Sequence, residues 1–402
     1  MGDTAVHTST NRKPDFADLT MALACALAAA SLVLALTLMP LIAHLAESRD
    51  FIVYWSTGQQ LVHGGNPYNP AIMGSIEHST GFTAKGSYYM RNPPWSLALV
   101  WPLGWLSARS AALPWSLLML GLLVLSVRLL WTMFGRPGGH LAWLGYCFPP
   151  ALICVFLGQT SLFLLLGLVL FLRLYKTHPF WAGTALWFCT LKPHLFLPFG
   201  IVLLVWIVLT RSYRIVFGTA AALAVSCVAT QLIDPRAWSQ YLHWASASGI
   251  AEESIPCLSV FLRKWIDPAA GWIAFVPAAL GCAWALIYFL PRRHEWDWIE
   301  HGNLLVLVSL LVAPYCWLND QSLALPALLY GATRTSSRTL LAVLAAMYIL
   351  LEFEAFRFFW GPQVLYLWPA PAWLIWYLLA RRSLRTADAS GQTAPLFAAT
   401  AR

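Results

Sequence analysis

Long apolar runs separated by short polar connections constrain this chain more than any other sequence feature. Only 10% of its residues are charged, whereas a soluble domain typically has about 25%. A helix needs about 20 mostly apolar residues to cross a bilayer, and the shorter runs suit helices broken at a cavity inside a bundle. The sequence therefore predicts an all-α, polytopic membrane protein with about twelve transmembrane helices and further interfacial helices in its outer loops. The predicted spans are 20–42, 111–134, 141–156, 160–176, 180–191, 194–210, 215–233, 270–290, 302–317, 322–332, 339–359 and 363–380.

The first apolar run, from Leu19 to Ile42, is too long for a secretory signal. The apolar part of a signal peptide has about 7–15 residues, so we expect an uncleaved first span. The eight cysteines form no Cys-x-x-Cys pair, and neither a disulfide framework nor a zinc site is indicated. No metal and no cofactor is expected.

The basic residues predict the orientation of the chain. With the N-terminus inside, 16 of the 25 Lys and Arg residues fall on the inner side and 9 on the outer side. This bias agrees with the positive-inside rule, and the net charge of +8 therefore does not indicate a nucleic-acid partner. We predict cytoplasmic tails at 1–19 and 381–402 around a transmembrane domain at 20–380. Its two large outer loops are 43–110 and 234–269, and the apolar piece 94–107 is expected to be interfacial or re-entrant because it carries Pro102.

Asp50 begins the most informative stretch of the first outer loop. After it, bulky apolar and polar residues alternate at helical spacing up to His63, and Gly64-Gly65 stops the pattern. This predicts a short helix lying in the membrane interface. Asp50 is either the N-cap of that helix or a general base facing water, and the two roles are compatible. Glu47 is either a second carboxylate or a solvated charge.

Lys192 lies in Thr190-Leu-Lys-Pro-His194, between two apolar runs. A lysine in such a stretch is costly and tends to be functional, and a Lys-Pro break exposes backbone groups that need a protein cavity. The alternative is a lysine at a helix end whose ammonium reaches the lipid headgroups. Arg91 is a candidate phosphate ligand or a headgroup anchor, and His194 is a candidate ligand beside Lys192.

Two further turns place polar groups on the same predicted outer face. Gly158-Gln-Thr-Ser161 is either a plain turn between two helices or part of a site. The turn Pro314-Tyr-Cys-Trp-Leu-Asn-Asp320 contributes Trp317, Asn319 and Asp320, and Asp320 is either a helix cap or a second outer acid.

Several motifs occur in the order found in a known family. They are Asp50-x-x-Val-Tyr54-Trp55, Gly64-Gly-Asn66-Pro-Tyr68, Asn92-Pro-Pro-Trp95, Trp101-Pro-Leu103, Gly158-Gln159 and Leu191-Lys192-Pro193. In these motifs the chain resembles the GT-C integral-membrane glycosyltransferases. Within them it resembles the polyprenol-phosphate-mannose-dependent mannosyltransferases and arabinofuranosyltransferases of glycosyltransferase family 87. The likeness covers about residues 45–330. It departs from the family at Asn92, where an aromatic residue is expected, and at Ala313, where serine is more usual.

The resemblance implies a GT-C type fold, a catalytic acid in the first outer loop and a lipid-phosphate sugar donor. Asp50 matches the family's acid by position. The expected partners are a polyprenyl-phosphate-sugar donor, a lipid- or glycan-linked acceptor and membrane lipids, with no nucleic acid. The candidate substrate-binding residues are Tyr54, Asn66, Tyr68, Arg91, Gln159, Lys192, His194, Trp317, Asn319 and Asp320.

Two functions are weighed from these observations. The first is an inverting glycosyltransferase of the inner (plasma) membrane that transfers a mannose- or pentose-like sugar on the extracytoplasmic face. The second is a polytopic transporter or flippase of lipid-linked sugars. A transporter would favour broken helices at the bilayer midplane and repeat symmetry, whereas here the polar residues cluster at one face and no repeat is found.

Overall fold

The computed structural model describes residues 21–22, 25–27, 29, 50–81, 90–134, 139–247, 255–358 and 363–389. All regular structure in these ranges is helical. The longer helices are α1 (Phe51–Val62), α2 (Pro70–Ser79), α3 (Ala108–Met133), α4 (Pro149–Leu157), α5 (Ser161–Leu174), α6 (Pro179–Leu186), α7 (Leu197–Thr210), α8 (Tyr213–Ile233), α9 (Ala237–Ala247), α10 (Leu258–Ile266), α11 (Val276–Phe289), α12 (Asn303–Val312), α13 (Leu325–Arg334), α14 (Arg338–Phe358) and α15 (Pro369–Ala389).

Shorter turns of helix join these elements. They are Pro94–Ser96, Leu97–Val100, Trp101–Trp105, Gly139–Ala142, Trp143–Tyr146, Phe188–Leu191, Pro193–Phe196, Gly271–Phe275, Leu290–Arg292, Trp298–Gly302, Leu318–Ala324 and Gln363–Tyr366. The predictions for the 1–19 tail, Glu47, most of the 20–42 span and most of the 381–402 tail lie outside the described residues.

Membrane-like helices are present. Within the described ranges, four helical stretches are long and apolar enough to cross a membrane: Ala108–Met133, Pro193–Thr210, Tyr213–Ile233 and Gly271–Arg292. The pair His140–Tyr146 and Pro149–Leu157, bent by 44°, counts as a fifth if it is one span. All of these coincide with predicted spans, and Ser161–Leu174 and Trp298–Val312 are shorter apolar helices at two more. The chain is thus a helical membrane protein, and the count of about twelve spans stays a prediction.

Helix α1 has the bounds that the sequence predicts, but its surroundings differ from the expectation. Ser56 and Thr57 were expected on a polar face and are fully buried. The backbone of Gly58 lies directly against that of Gly104 in the Trp101–Trp105 turn, where a Cβ atom on Gly104 would come 2.0 Å from the Gly58 carbonyl oxygen. The expectation that Ser56 and Thr57 lie on a solvent-facing side is therefore wrong, because protein covers them, and the interfacial position of α1 stays a prediction.

The piece 94–107 forms three short turns instead of one helix. Pro94 is the first residue of one 3₁₀ turn and Pro102 the second residue of another, since proline lacks the N–H that a continuing helix needs. The last turn, Trp101–Trp105, packs along α1. The piece therefore forms no single helix long enough to span, and its interfacial or re-entrant position stays a prediction.

Three breaks between helices, at 158–160, 188–196 and 318–324, meet near the N-terminus of α1. The Leu318–Ala324 turn packs against α4 and α5, and the Phe188–Leu191 turn packs against α5. Lys192 separates the Phe188–Leu191 and Pro193–Phe196 turns, because Pro193 interrupts the helical hydrogen bonding. Irregular backbone at these breaks brings polar side chains into the interior of an otherwise apolar bundle.

Helix α9, in the second predicted outer loop, also packs on protein. Tyr241 and Trp244 lie against Tyr68, with ring centroids 5.3 and 6.2 Å from it. The ring centroids of Trp238 and Trp95 are 5.9 Å apart. Trp244 is buried, and the three rings join α9 to the first outer loop.

Candidate active site

Asp50 is the residue immediately before α1, and its side chain points away from the helix. It makes no capping hydrogen bond to the backbone of α1. Instead, its Oδ2 accepts a hydrogen bond of 2.6 Å from Nε2 of Gln159. The interpretation of Asp50 as a simple N-cap is therefore wrong, because a capping carboxylate accepts from the helix N–H groups.

Gln159 is itself held by a second side chain of α1. The hydroxyl of Tyr54 donates to Oε1 of Gln159 at 3.0 Å and lies 3.3 Å from Oγ1 of Thr160. Burial raises the pKa of Tyr54 to about 12, so the phenol is protonated and can donate at neutral pH. We refer to Asp50, Tyr54, Gln159 and Thr160 as the base cluster.

The turn from 158 to 161 has a conformation that fixes where Gln159 points. Gly158 has a φ of +74°, which favours glycine, and a Cβ atom there would lie 2.9 Å from Cβ of Phe51. The Trp115 indole N–H donates to the Gly158 carbonyl at 2.7 Å. This turn is therefore clamped between α1 and α3.

Ser161, at the end of the same turn, joins a second polar group. The Nζ atom of Lys192 lies 2.6 Å from Oδ1 of Asp320 and 3.1 Å from Oγ of Ser161. The Ser161 hydroxyl donates to the same Asp320 oxygen at 2.6 Å, and Nδ2 of Asn319 lies 3.4 Å from Oγ of Ser161. We refer to Lys192, Asp320, Ser161 and Asn319 as the cation cluster.

The ion pair between Lys192 and Asp320 is largely shielded from solvent. The side chains of Lys192 and Asp320 are 14% and 1% exposed. Burial alone would lower the pKa of Lys192, but the adjacent Asp320 carboxylate raises it above its usual value, so the ammonium is kept. Burial alone would raise the pKa of Asp320, but the charge and hydrogen bonds of Lys192 lower it below its usual value. The interpretation of Lys192 as a headgroup-seeking lysine is wrong, because its ammonium is bound inside the protein.

The pKa of the Asp50 carboxylate is shifted in the direction opposite to that of Asp320. Burial raises its pKa above the ordinary 3.8, and the hydrogen bond from Gln159 and the charge of Lys192 only partly offset this. The charge of Asp320 raises the pKa further, whereas that of Arg91 lowers it. Arg91 therefore acts electrostatically on the same site as Lys192. A carboxylate with a raised pKa is a stronger base than an exposed one.

His194 and Tyr315 form one wall beside the cation cluster. Their rings are stacked with centroids 3.6 Å apart. Nε2 of His194 is buried and has no hydrogen-bond partner in the part of the chain that the structure describes. Such an atom is available to a ligand that enters the site.

Three predicted binding residues hold backbone in the structure. Oδ1 of Asn66 accepts from the Tyr68 N–H at 2.9 Å, and the Tyr68 hydroxyl donates to the Asn92 carbonyl at 3.1 Å. The N–H of Trp317 donates to Oδ2 of Asp320 at 3.0 Å, as in the cap role considered for that acid. The Asn92 side chain in turn donates to the Leu191 carbonyl at 3.3 Å, next to Lys192. The last of these contacts ties the first outer loop to the residue before Lys192.

Ser161, Thr160, Tyr315 and Trp115 were not predicted as site residues. Ser161 and Thr160 belong to the polar turn that the sequence analysis noted, and Tyr315 follows the Pro314 break. No sequence signal marks Trp115, which is one of 22 tryptophans. Among the described residues, no group of three or more His, Cys, Asp or Glu side chains could hold a metal ion.

A carboxylate held by Gln159 and a buried ion pair between Lys192 and Asp320 thus meet at the turn 158–161, inside a bundle of apolar helices. The chain belongs to glycosyltransferase family 87: the model of that family matches residues 89–314, which is more than half of the chain. The match includes Arg91, Gln159, Lys192 and His194, whereas Asp50 and Asp320 lie outside it. No curated protein and no solved structure matches the chain. The protein is thus a membrane glycosyltransferase.

Proposed function

We propose that this protein is an inverting glycosyltransferase of GT-C type. It moves a mannose- or pentose-like sugar from a polyprenyl-phosphate donor to a lipid- or glycan-linked acceptor. The observation that supports this most directly is the placement of the base cluster beside the cation cluster, joined by the four residues 158–161. The base cluster can accept the proton of the attacking hydroxyl, and the cation cluster can stabilise the charge of the departing phosphate.

Asp50 takes the proton of the acceptor hydroxyl. Its Oδ2 is held by Gln159, and within the described ranges no hydrogen bond engages its Oδ1. As the proton moves to Asp50, the acceptor oxygen bonds to the anomeric carbon, and the bond from that carbon to the phosphate oxygen breaks. One displacement from the face opposite the phosphate inverts the anomeric centre.

Lys192 stabilises the phosphate that leaves. An ammonium has three N–H bonds, and Asp320 and Ser161 take two of them, which leaves one for a phosphate oxygen. The Asp320 carboxylate keeps Lys192 charged in a dry site, where charge stabilisation is strongest. Arg91, which acts electrostatically on Asp50, and Nε2 of His194 add further groups that can face the phosphate.

The site lies on the extracytoplasmic face in this proposal, within about twelve spans. The asymmetry of 16 inner to 9 outer basic residues supports that orientation. Nucleotide sugars are confined to the cytoplasm, so a site on the outer face needs a sugar carried by a lipid.

The proposal is tested by incubating the purified protein with labelled polyprenyl-phosphate sugars and candidate acceptors. Transfer of label to the acceptor, with the opposite anomeric configuration in the product, supports the proposal. Movement of intact donor between the leaflets of a vesicle, with no transfer by a protein that binds the donor, would instead indicate a flippase.

A further inference from the structure

Gln159 and Tyr54 were expected to bind substrate, but their contacts assign them another task. We propose that Gln159 is a positioning residue that orients the Asp50 carboxylate, and that Tyr54 fixes the direction of the Gln159 amide. The proposal rests on the proposed function, because it needs Asp50 to be the base.

The direction of the amide follows from hydrogen-bond chemistry. The two ends of a glutamine side chain differ in that Oε1 only accepts and Nε2 only donates. Tyr54 is protonated and donates to Oε1 at 3.0 Å, which leaves Nε2 directed at Asp50 Oδ2 at 2.6 Å. If the amide were reversed, Oε1 would face the carboxylate, and two acceptors would oppose each other. The carboxylate therefore selects this orientation, and the hydroxyl of Tyr54 stabilises it by donating to Oε1 of Gln159.

The backbone around Gln159 is rigid enough for this task. The left-handed Gly158, the Trp115 hydrogen bond to its carbonyl and the hydrogen bond from the Gln159 N–H to the Cys154 carbonyl at 3.0 Å hold the turn. The Tyr54 ring packs on Trp115 with centroids 5.6 Å apart. The carboxylate is thus held through its Oδ2, while Oδ1 is left for the acceptor hydroxyl.

The positioning role predicts a change in pH dependence. Among the described residues, Lys192 and Arg91 favour the charged form of Asp50, and Asp320 disfavours it. Gln159 also favours the charged form of Asp50, as a neutral hydrogen-bond donor. Without it, the pKa of Asp50 rises, and the acid limb of kcat/KM moves to higher pH by about one unit. Gln159→Glu moves the limb further, because two adjacent carboxylates share a proton.

The experiment measures kcat/KM for sugar transfer against pH in wild type, Gln159→Ala, Gln159→Glu and Tyr54→Phe. Tyr54→Phe keeps the ring on Trp115 but frees the amide to rotate, so its limb should shift in the same direction by less. In all three variants kcat falls, and the KM for donor stays close to wild type. The matched control is Gln231→Ala, which removes an exposed amide whose one side-chain hydrogen bond within the described ranges is 3.5 Å long, and its profile should not change.

An acid limb at the wild-type position in both Gln159 variants, with a raised KM, would overturn the proposal and make Gln159 a substrate contact. The thermal unfolding of each variant is measured alongside, and a variant that unfolds early is replaced by Gln159→Asn. Asp50→Asn separates this test from that of the proposed function. If that variant is inactive while the limb of the Gln159 variants is unmoved, only the positioning role fails. If it is fully active, the base assignment itself fails.

Discussion

Lys192 and Asp320 lie 128 positions apart in the chain, yet their side chains meet at 2.6 Å. The pair joins the break between α6 and α7 to the turn before α13, and Ser161 adds the start of α5 to the same contact. The position of the proposed phosphate ligand is therefore set by three segments that are distant in sequence.

Breaking this pair should destabilise the protein strongly. Asp320→Asn leaves a buried ammonium without its counter-charge, and Lys192→Met leaves a buried carboxylate. Each single change should cost about 3–5 kcal/mol, whereas the double variant should recover much of the loss. Thermal unfolding of the four proteins in detergent measures the coupling. Additive losses in the double variant would show that the two side chains do not interact.

The double variant also tests the phosphate role without an unpaired charge. Lys192→Met with Asp320→Asn keeps the net charge of the site but removes the cation. We expect weaker donor binding and a lower rate of transfer in a protein that still folds. Lys192→Arg should restore only part of the wild-type activity, since a planar guanidinium does not replace a compact ammonium. Donor affinity equal to that of wild type in the double variant would exclude Lys192 from the phosphate site.

Gly158→Ala should damage both stability and activity. An alanine in the left-handed region costs about 1–2 kcal/mol, and its Cβ would collide with Phe51 in the first turn of α1. The matched control is Gly121→Ala in α3, where a Cβ atom meets nothing within 4 Å. That change should be neutral or stabilise by about 0.5–1 kcal/mol. Equal thermal stability of the two variants would contradict the clamped turn.

The helical class, the bounds of α1 and the segments of the site could be predicted from the sequence. Apolar runs and motif order carry that information locally. The hydrogen-bond partner of each polar side chain could not be predicted from the sequence. Asp50 contacts Gln159, and Lys192 contacts Asp320, only because tertiary packing brings distant segments together. The burial of Ser56 was missed for a related reason: its hydroxyl donates to the Ile52 carbonyl of the same helix at 2.7 Å, so a polar side chain can be buried there without a tertiary partner.

The membrane orientation has its own test. A reporter fused after Arg214 or Arg293 should be cytoplasmic, and one fused after Ser79 or near Cys257 should be outside, because basic loops stay in the cytoplasm. Accessibility of single cysteines to an impermeant thiol reagent in intact cells gives an independent measurement. A reporter that is active only outside at Arg293 would exclude the twelve-span topology.

The pH dependence of the wild-type reaction follows from the environment of Asp50. A base acts in its deprotonated form, so activity is lost as the pH falls through the pKa of the carboxylate. Burial raises that pKa above 3.8, and the acid limb should lie above that of an exposed aspartate. A rate that is flat down to pH 4 would contradict a raised pKa.

Transfer by Asp50→Asn tests the central claim most directly. Asparagine has nearly the same size, and its Oδ1 can still accept from Nε2 of Gln159, so the contacts of the site are kept. It cannot take up a proton at neutral pH. Asp267→Asn, which alters an exposed carboxylate, serves as the control and should behave as wild type. We predict an unchanged unfolding temperature and a rate of sugar transfer reduced by about 10²–10⁴ in the purified Asp50→Asn protein. A wild-type rate in that folded variant would contradict the assignment of Asp50 as the base.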